Sequence, residues 1–191
     1  IMKKFKLIMT VAVLAVISYS CNNSAVQRMV DKMQPEPVVI EQEGAGFFVN
    51  EPGEKFVAGS DDVMDVWMKY IDAHNNQDME TILAMETDSI FILSPDGNSL
   101  RGKENHQTLL SAWFEAANPK WDVYWGMPYK GVTGGADWII AGHVVTQTID
   151  GAEVKHRDMI DGYINEDGLV SMFFVYRSEM PVPVSEETSE E

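Results

Sequence analysis

Apolar residues recur at the spacing of an amphipathic helix in the central part of the chain. In residues 61–76 they lie three and four positions apart, so they share one face of a helix. Ser60 stands directly before this segment, and serine is favoured at a helix N-cap. Two further helices are predicted over residues 79–85 and 103–118. The shared face of the first helix consists of Val63, Val66, Trp67, Tyr70, Ile71 and His74.

Between and after these helices, the chain has the apolar runs and turn signals of β-strands. A short buried strand is predicted over residues 89–93, with a return over 98–101. Four longer runs are predicted to form an antiparallel meander. Asp150-Gly151 predicts a hairpin with a two-residue turn between two of them. This order predicts an α+β fold, in which three N-terminal helices cover one face of a curved antiparallel sheet. The longer strands are predicted at 121–130, 137–149, 152–164 and 169–177.

The N-terminal residues have the order of a secretory signal. Three lysines precede an apolar run over residues 7–17, and small or polar residues follow it. This run is shorter than the roughly 20 residues that a membrane span needs. The predicted organisation is a signal peptide at 1–20, a tether at 21–58, a folded domain at 59–180 and an acidic disordered tail at 181–191.

Cys21, the only cysteine of the chain, stands where a bacterial lipoprotein signal is cut and lipidated. Ser20 fits such a signal, whereas Tyr19 is bulkier than the small residue typical at its position. The resemblance implies lipidation of Cys21 and an exported protein, anchored to a bacterial membrane on the periplasmic side or at the cell surface. An ordinary secretory signal and an uncleaved anchor helix are the alternatives.

Composition narrows the set of partners. The formal net charge of −16 disfavours nucleic acid, because an acidic surface repels phosphates. A single cysteine, placed in the leader region, leaves no disulfide and no thiolate metal site in the folded domain. We expect neither a metal nor a cofactor, since the four histidines lack the close spacing typical of metal ligands. They are His74, His106, His143 and His156.

Three phrases, in the order in which they occur, resemble the NTF2-like superfamily, which includes SnoaL-like cyclases, ketosteroid isomerase and scytalone dehydratase. They are "YIDAHNNQDMETILAMETDSIFI", "LRGKENHQTLL" and "DGYINEDGLVSMFFVYR", and the resemblance covers about residues 60–179. It implies a cone-shaped α+β barrel with an apolar pocket inside. The superfamily contains enzymes and non-enzymes, so the resemblance alone does not decide the function.

Both faces of the strand at 137–149 are apolar, so alternation alone does not show which face is buried. The resemblance to ketosteroid isomerase places His143 inward, with His156 and Asp158 of the next strand. Inside the pocket these side chains would act as a general base or orient a ligand. The alternatives are a structural hydrogen-bonded pair and a register shifted by one residue. Tyr70 matches the oxyanion-stabilising tyrosine of the isomerase.

Aromatic residues are numerous for one small domain, and most of them are expected in the core. Four are candidates for contact with a ligand in the pocket, namely Trp67, Tyr70, Trp113 and Phe173. Residues 121–129, "WDVYWGMPY", are instead candidates for an exposed aromatic edge. Two copies of the chain would pair through this edge as a homodimer.

Three functions are compatible with these observations. The first is a membrane-anchored lipoprotein that binds a small apolar or amphipathic ligand in its pocket. It is favoured because residues 93–95 read Leu-Ser-Pro, where the isomerase has its catalytic aspartate. The second is a SnoaL-like acid–base enzyme (an isomerase, dehydratase or cyclase) that uses His143, His156 and Asp158 with Tyr70. The third is a dimeric interaction scaffold without a ligand.

Overall fold

The computed structural model of the protein describes residues 43–46, 53–133 and 137–180. The predicted signal peptide, Cys21 with its predicted lipidation, most of the predicted tether and the predicted acidic tail lie outside these residues. The described part is α+β, as predicted, and comprises one seven-stranded sheet and three helices. None of these helices is long and apolar enough to cross a bilayer.

The helices and strands follow the predicted order, with one addition at the start. The strands are β1 (Phe56–Ala58), β2 (Glu86–Leu93), β3 (Ser99–Arg101), β4 (Lys120–Gly131), β5 (Asp137–Ile149), β6 (Ala152–Ile164) and β7 (Val170–Glu179). The helices are α1 (Asp61–Asn76), α2 (Met79–Ala84) and α3 (Lys103–Ala117). β1 lies in residues that we assigned to the tether, since three residues are too few to show an alternating pattern.

The sheet is mixed rather than purely antiparallel, which corrects the predicted topology. Its strand order is β1-β4-β5-β6-β7-β2-β3, and β2 pairs with β7 in parallel. Alternation of apolar residues shows which face of a strand is buried but not the direction of its neighbour, so the pattern could not reveal this pair. The two edge strands, β1 and β3, do not pair with each other in the described residues, so the sheet is not closed.

Local signals in the sequence position the main elements. The side chain of Ser60 accepts a hydrogen bond from the amide of Asp62 and caps α1, as predicted. Asp150 and Gly151 both have positive φ, the requirement of the tight hairpin turn that their sequence predicts. The turn sets the register of β5 against β6, which places His143 opposite Asp158.

The core lies between the helices and one face of the sheet. The residues on the His143 face of β5 are completely buried, as the family resemblance implied; they are Ile139, Ala141, His143 and Val145. Trp67 and Tyr70 of α1 pack over this side of the sheet, and Phe173 of β7 packs against both rings. The same face of the sheet therefore contributes both the core and the surroundings of a site.

The opposite face of the sheet presents aromatic and aliphatic side chains to the outside. A bulge in β4 between Val123 and Trp125 exposes two consecutive aromatic residues, Tyr124 and Trp125. Both lie over Gly142, where an added Cβ would come within 2.5 Å of each side chain. We call the outward-facing residues Tyr124, Trp125, Met127 and Tyr176 the outer aromatic patch.

Candidate functional site

A cavity of about 550 Å³ lies between the helices and the inner face of the sheet. The four residues predicted to contact a ligand all line it; they are Trp67, Tyr70, Trp113 and Phe173. Further apolar walls come from Ile71, Ile92, Leu110, Trp121, Ile160 and Val175. The exposed residues Asp96 and Leu109 lie at its rim. The cavity is thus largely apolar, and its few polar side chains determine what it can do.

A buried carboxylate, that of Glu86, stands directly behind two residues of the cavity wall. Its Oε1 lies 2.6 Å from the phenol oxygen of Tyr70 and 2.6 Å from Nδ1 of His106. Glu86 has no solvent exposure, and its Oε2 has no hydrogen-bond partner in the described part of the chain. Burying a carboxylate costs free energy, and only one of the two oxygens of Glu86 is hydrogen-bonded to offset that cost. A residue needed only for packing would be apolar here, so Glu86 points to a role beyond packing.

The phenol of Tyr70 donates its proton to Glu86 and not to the cavity. Burial, and then the nearby Glu86 carboxylate, raises the pKa of Tyr70 well above its usual value, so the phenol keeps its proton. A hydroxyl group can donate one hydrogen bond, and that of Tyr70 is donated to the Glu86 carboxylate. Toward a ligand, the Tyr70 oxygen can therefore only accept a hydrogen bond.

His106 directs Nδ1 at the same oxygen of Glu86. Because an ionised carboxylate can only accept hydrogen bonds, Nδ1 of His106 carries the proton in this contact and donates it to Glu86. The other ring nitrogen, Nε2, makes no hydrogen bond within the described residues, and His106 lines the cavity. An imidazole that is oriented in this way by a carboxylate can exchange a proton with a bound molecule.

A second imidazole, that of His74, lines the cavity beside Tyr70. Its Nδ1 lies 2.7 Å from the carbonyl oxygen of Tyr70, one helical turn earlier, and donates to it. Burial lowers the pKa of His74 from 6.5 to about 3, with His106 adding to the effect. His74 is therefore neutral at physiological pH, with its proton on Nδ1.

His143 lies outside the cavity wall. Its Nε2 accepts a hydrogen bond of 3.1 Å from the indole nitrogen of Trp67, which connects β5 to α1. Burial lowers the pKa of His143, although the nearby Asp158 opposes the shift. The contact with Trp67 uses the nitrogen that a general base would need, so His143 holds the helix to the sheet in this structure.

Asp158 and Arg177 form a bidentate ion pair on the cavity wall. The Nε and a terminal nitrogen of Arg177 donate to the two carboxylate oxygens of Asp158, each at 2.9 Å. These hydrogen bonds raise the pKa of the guanidinium. His156 approaches Asp158 to 3.4 Å but does not line the cavity, and burial lowers its pKa. The structure thus brings Asp158 to the same cavity as Tyr70, without His143 or His156.

Sequence reasoning missed Glu86, His106 and Arg177 as site residues, although a weak signal for two of them existed. Glu86 shares the inward face of β2 with Ile90 and Ile92. His106 stands four residues before Leu110, on the buried face of α3. A polar residue in line with an apolar face is the signal that would have found both. Within the described residues, no three metal-ligating side chains are arranged to hold a metal ion.

The chain is similar to known proteins in its structure, but its sequence alone matches none of them significantly. No protein-family model matches the sequence, and no curated protein is significantly similar to it. Among solved structures, the LEH-like epoxide hydrolase of Mycobacterium tuberculosis matches 64% of this chain and 82% of its own, at 15% identity and a TM-score of 0.52. The epoxide hydrolase/cyclase-like enzyme SalBIII, which has a role in pyran ring formation in the polyether salinomycin, matches 61% and 91%, at 14% identity and a TM-score of 0.53.

A third similar structure was solved with a bound molecule. RV0760c from Mycobacterium tuberculosis, in complex with estradiol-17β-hemisuccinate, matches 60% of this chain and 92% of its own. Its identity to this chain is 19% and the TM-score is 0.51. Likenesses at such identities establish the fold and no more. The chain has the NTF2-like fold, as its three sequence phrases implied.

Proposed function

We propose that the protein is an acid–base enzyme that acts on a small, largely apolar molecule in the cavity. His106 is its proton-transferring group. One observation carries the proposal: the fully buried carboxylate of Glu86 lies 2.6 Å from Nδ1 of His106 in the cavity wall. The reaction class is that of an isomerase, dehydratase or cyclase, in which protons move on a bound organic molecule.

The pairing of Glu86 with His106 supports this role on physical grounds. A carboxylate that accepts from Nδ1 selects the tautomer with a free Nε2 and stabilises the positive charge when Nε2 takes up a proton. The surrounding apolar walls keep these interactions strong, because an interior of low polarity screens charges poorly. His106 can thus act as a base in one step and return the proton in another.

The proposal revises the residues that the sequence suggested. Tyr70 faces the cavity, but it supports Glu86 and does not offer a proton to a carbonyl group. Asp158 faces the cavity with its charge paired by Arg177. The similar structures described as an epoxide hydrolase and as an epoxide hydrolase/cyclase-like enzyme favour catalysis, since enzymes that move protons on small organic molecules share this fold.

The test compares the purified protein with its His106→Gln variant on a panel of epoxides and β,γ-unsaturated ketones. We expect turnover by the unchanged protein and a loss of kcat/KM of about 10²–10⁴-fold in the variant, the usual contribution of a general base. His156→Gln is the matched control, because His156 is buried but does not line the cavity. Equal activity of His106→Gln and the unchanged protein would contradict the proposal.

Binding without catalysis is the second candidate function, favoured by the aromatic walls of the cavity. The structure of RV0760c with estradiol-17β-hemisuccinate supports the idea that this fold holds a polycyclic molecule. A binding protein would retain a co-purified apolar molecule, detected by native mass spectrometry, and would turn over none of the panel compounds. In that case Glu86→Gln would alter ligand affinity, with no turnover to lose.

We also propose that the protein is exported and anchored to a bacterial membrane by lipid on Cys21. The order of charged, apolar and small residues before Cys21 supports this. Expression in bacteria fed radiolabelled palmitate would show label in the full chain and none in Cys21→Ala. Label in both would mean that the lipid is elsewhere, and label in neither would exclude the anchor.

A further inference from the structure

Besides His106, His74 is an imidazole on the cavity wall with one ring nitrogen engaged by the protein and the other without a hydrogen bond in the described residues. Nδ1 donates to the backbone carbonyl of Tyr70, and Nε2 makes no hydrogen bond in the described part of the chain. The ring is 5% exposed and packs between aromatic neighbours, with centroids 4.3 Å from Tyr70 and 5.6 Å from Trp121. Neither packing nor the acid–base pair of Glu86 and His106 accounts for the unused nitrogen.

We propose that Nε2 of His74 accepts a hydrogen bond from a hydroxyl group of the substrate, so that the cavity selects flat, apolar molecules that carry a hydroxyl group. The proposal deepens the proposed function, on which it rests, by naming the substrate class. His74 determines specificity here, whereas His106 moves the proton.

The polar groups beside His74 strengthen the preference for a donor. The Tyr70 oxygen, on the preceding turn of the same helix face, donates its proton in the hydrogen bond to Glu86 and can only accept a hydrogen bond from a ligand. A carbonyl or ether oxygen at this place would meet two lone pairs and no proton. A hydroxyl group satisfies His74 with its proton, and a buried acceptor that stays unpaired costs binding free energy.

The apolar surroundings define the rest of the ligand. Trp113 and Trp121 meet edge to face, with centroids 5.2 Å apart, and both line the cavity. Phe173 lines it from the sheet side and lies 6.2 Å from the ring of His106. Aromatic walls of this kind favour a flat molecule, and the volume of about 550 Å³ leaves room for fused rings.

Isothermal titration calorimetry of the purified full chain with three matched probes tests the proposal. The probes are 2-naphthol, which donates a hydrogen bond, and 2-methoxynaphthalene and 2-naphthaldehyde, which do not. We expect 2-naphthol to bind at least about tenfold more tightly than either of the others, as a buried hydrogen bond of ordinary strength would give. Equal affinities, tightest binding of the aldehyde, or no binding of any probe would overturn the proposal.

Two variants assign the preference to His74. His74→Phe keeps an aromatic ring and removes the acceptor, so the advantage of 2-naphthol should disappear while 2-methoxynaphthalene binds as before. His74→Gln retains an acceptor and should keep part of the advantage, and it replaces His74→Phe if that variant does not fold. A preference that survives in both folded variants would overturn the assignment. Since the measurement is of binding, the outcome is independent of whether His106→Gln loses turnover.

Discussion

At the scale of single residues, three of the four buried histidines differ in the group that is hydrogen-bonded to the ring. His74 donates a hydrogen bond to a backbone carbonyl, and His106 donates one to Glu86. His143 accepts a hydrogen bond from Trp67. The first is a neutral acceptor, the second a group that can exchange protons, and the third a structural link. Residue type and burial are nearly the same in all three cases, so hydrogen-bond partners decide the chemistry.

The lowered pKa of His74 makes the stability of the protein depend on pH. The folded chain takes up this proton only near pH 3, whereas the unfolded chain takes it up near pH 6.5. The titration of His74 therefore leaves the free energy of unfolding unchanged above pH 6.5. It lowers this free energy as the pH falls from 6.5 toward 3. At pH 4.5 the loss due to His74 is roughly 2–3 kcal/mol.

Urea unfolding of the protein and of His74→Phe at pH 7.5 and pH 4.5 measures this effect. The free energy of unfolding should fall less in the variant than in the unchanged protein, by that amount. The lowered pKa values of His143 and His156 act in the same direction and remain in the variant, so the comparison isolates His74. Identical slopes with pH would show that His74 takes up its proton equally in the folded and unfolded states, and would contradict the prediction.

The ion pair of Asp158 and Arg177 gives a second prediction at this scale. Asp158 is almost fully buried, so Arg177→Met would leave its carboxylate without its strongest partner. We expect a loss of about 2–4 kcal/mol in the free energy of unfolding, measured with urea at pH 7. The double variant Asp158→Leu/Arg177→Met should recover most of this loss, because it leaves no buried charge. A single variant as stable as the unchanged protein would mean that water already solvates Asp158.

At the scale of elements, helix α1 positions the cavity. Trp67, Tyr70 and His74 follow one another at intervals of three and four residues, so a single helix face carries a link to β5, a support for Glu86 and an acceptor. The periodicity of these residues was visible in the sequence and predicted the helix. What each residue contacts depended on strands that follow along the chain, and no local pattern contains that information.

The hydrogen bond between Trp67 and His143 joins this helix to the sheet, and its removal should be costly. Trp67→Phe would leave Nε2 of His143 buried without a partner and would also reduce the packing volume. We expect a decrease of about 2–4 kcal/mol in the free energy of unfolding by urea. Trp67→Phe/His143→Leu, which removes the orphaned nitrogen, should be less affected. A larger loss in the double variant than in the single one would contradict this account.

The sequence predicted the strands better than their arrangement. The predicted bounds of β5 and β6 agree with the structure because two long alternating runs flank an unmistakable turn at Asp150-Gly151. Glu86 was missed because the strand that carries it was predicted to begin at residue 89. A charged residue at a strand end resembles a loop position unless its burial is known, and burial depends on α3 and on the parallel pairing with β7.

At the scale of the whole molecule, the sheet has two unlike faces. Its inner face encloses the cavity, and its outer face carries the outer aromatic patch, in which Met127 is 51% and Tyr176 58% exposed. A large apolar patch on a protein surface favours association. The exposed aromatic edge predicted at residues 121–129 is not a sheet edge, because β4 lies between β1 and β5, and Trp121 of this segment is buried. We propose instead that two copies of the chain pair through the outer face.

Charge placed in the outer aromatic patch should separate such a pair. Met127→Lys is expected to halve the molar mass measured by sedimentation equilibrium, because a lysine there would be buried without a partner in the interface. Ile149→Lys is the matched control, since Ile149 is also an exposed apolar residue but lies at the end of β5 beside the hairpin turn. An unchanged protein with the mass of a single chain would end the pairing proposal.

The distribution of tryptophans has a practical consequence. Of the five in the chain, Trp67, Trp113 and Trp121 line the cavity, and Trp125 belongs to the outer aromatic patch. A molecule that enters the cavity comes within reach of three fluorophores at once, whereas association of two copies would chiefly alter a fourth. The protein thus contains its own optical reporters, and replacing Trp125 with phenylalanine would separate the emission that reports ligand entry from the emission that reports self-association.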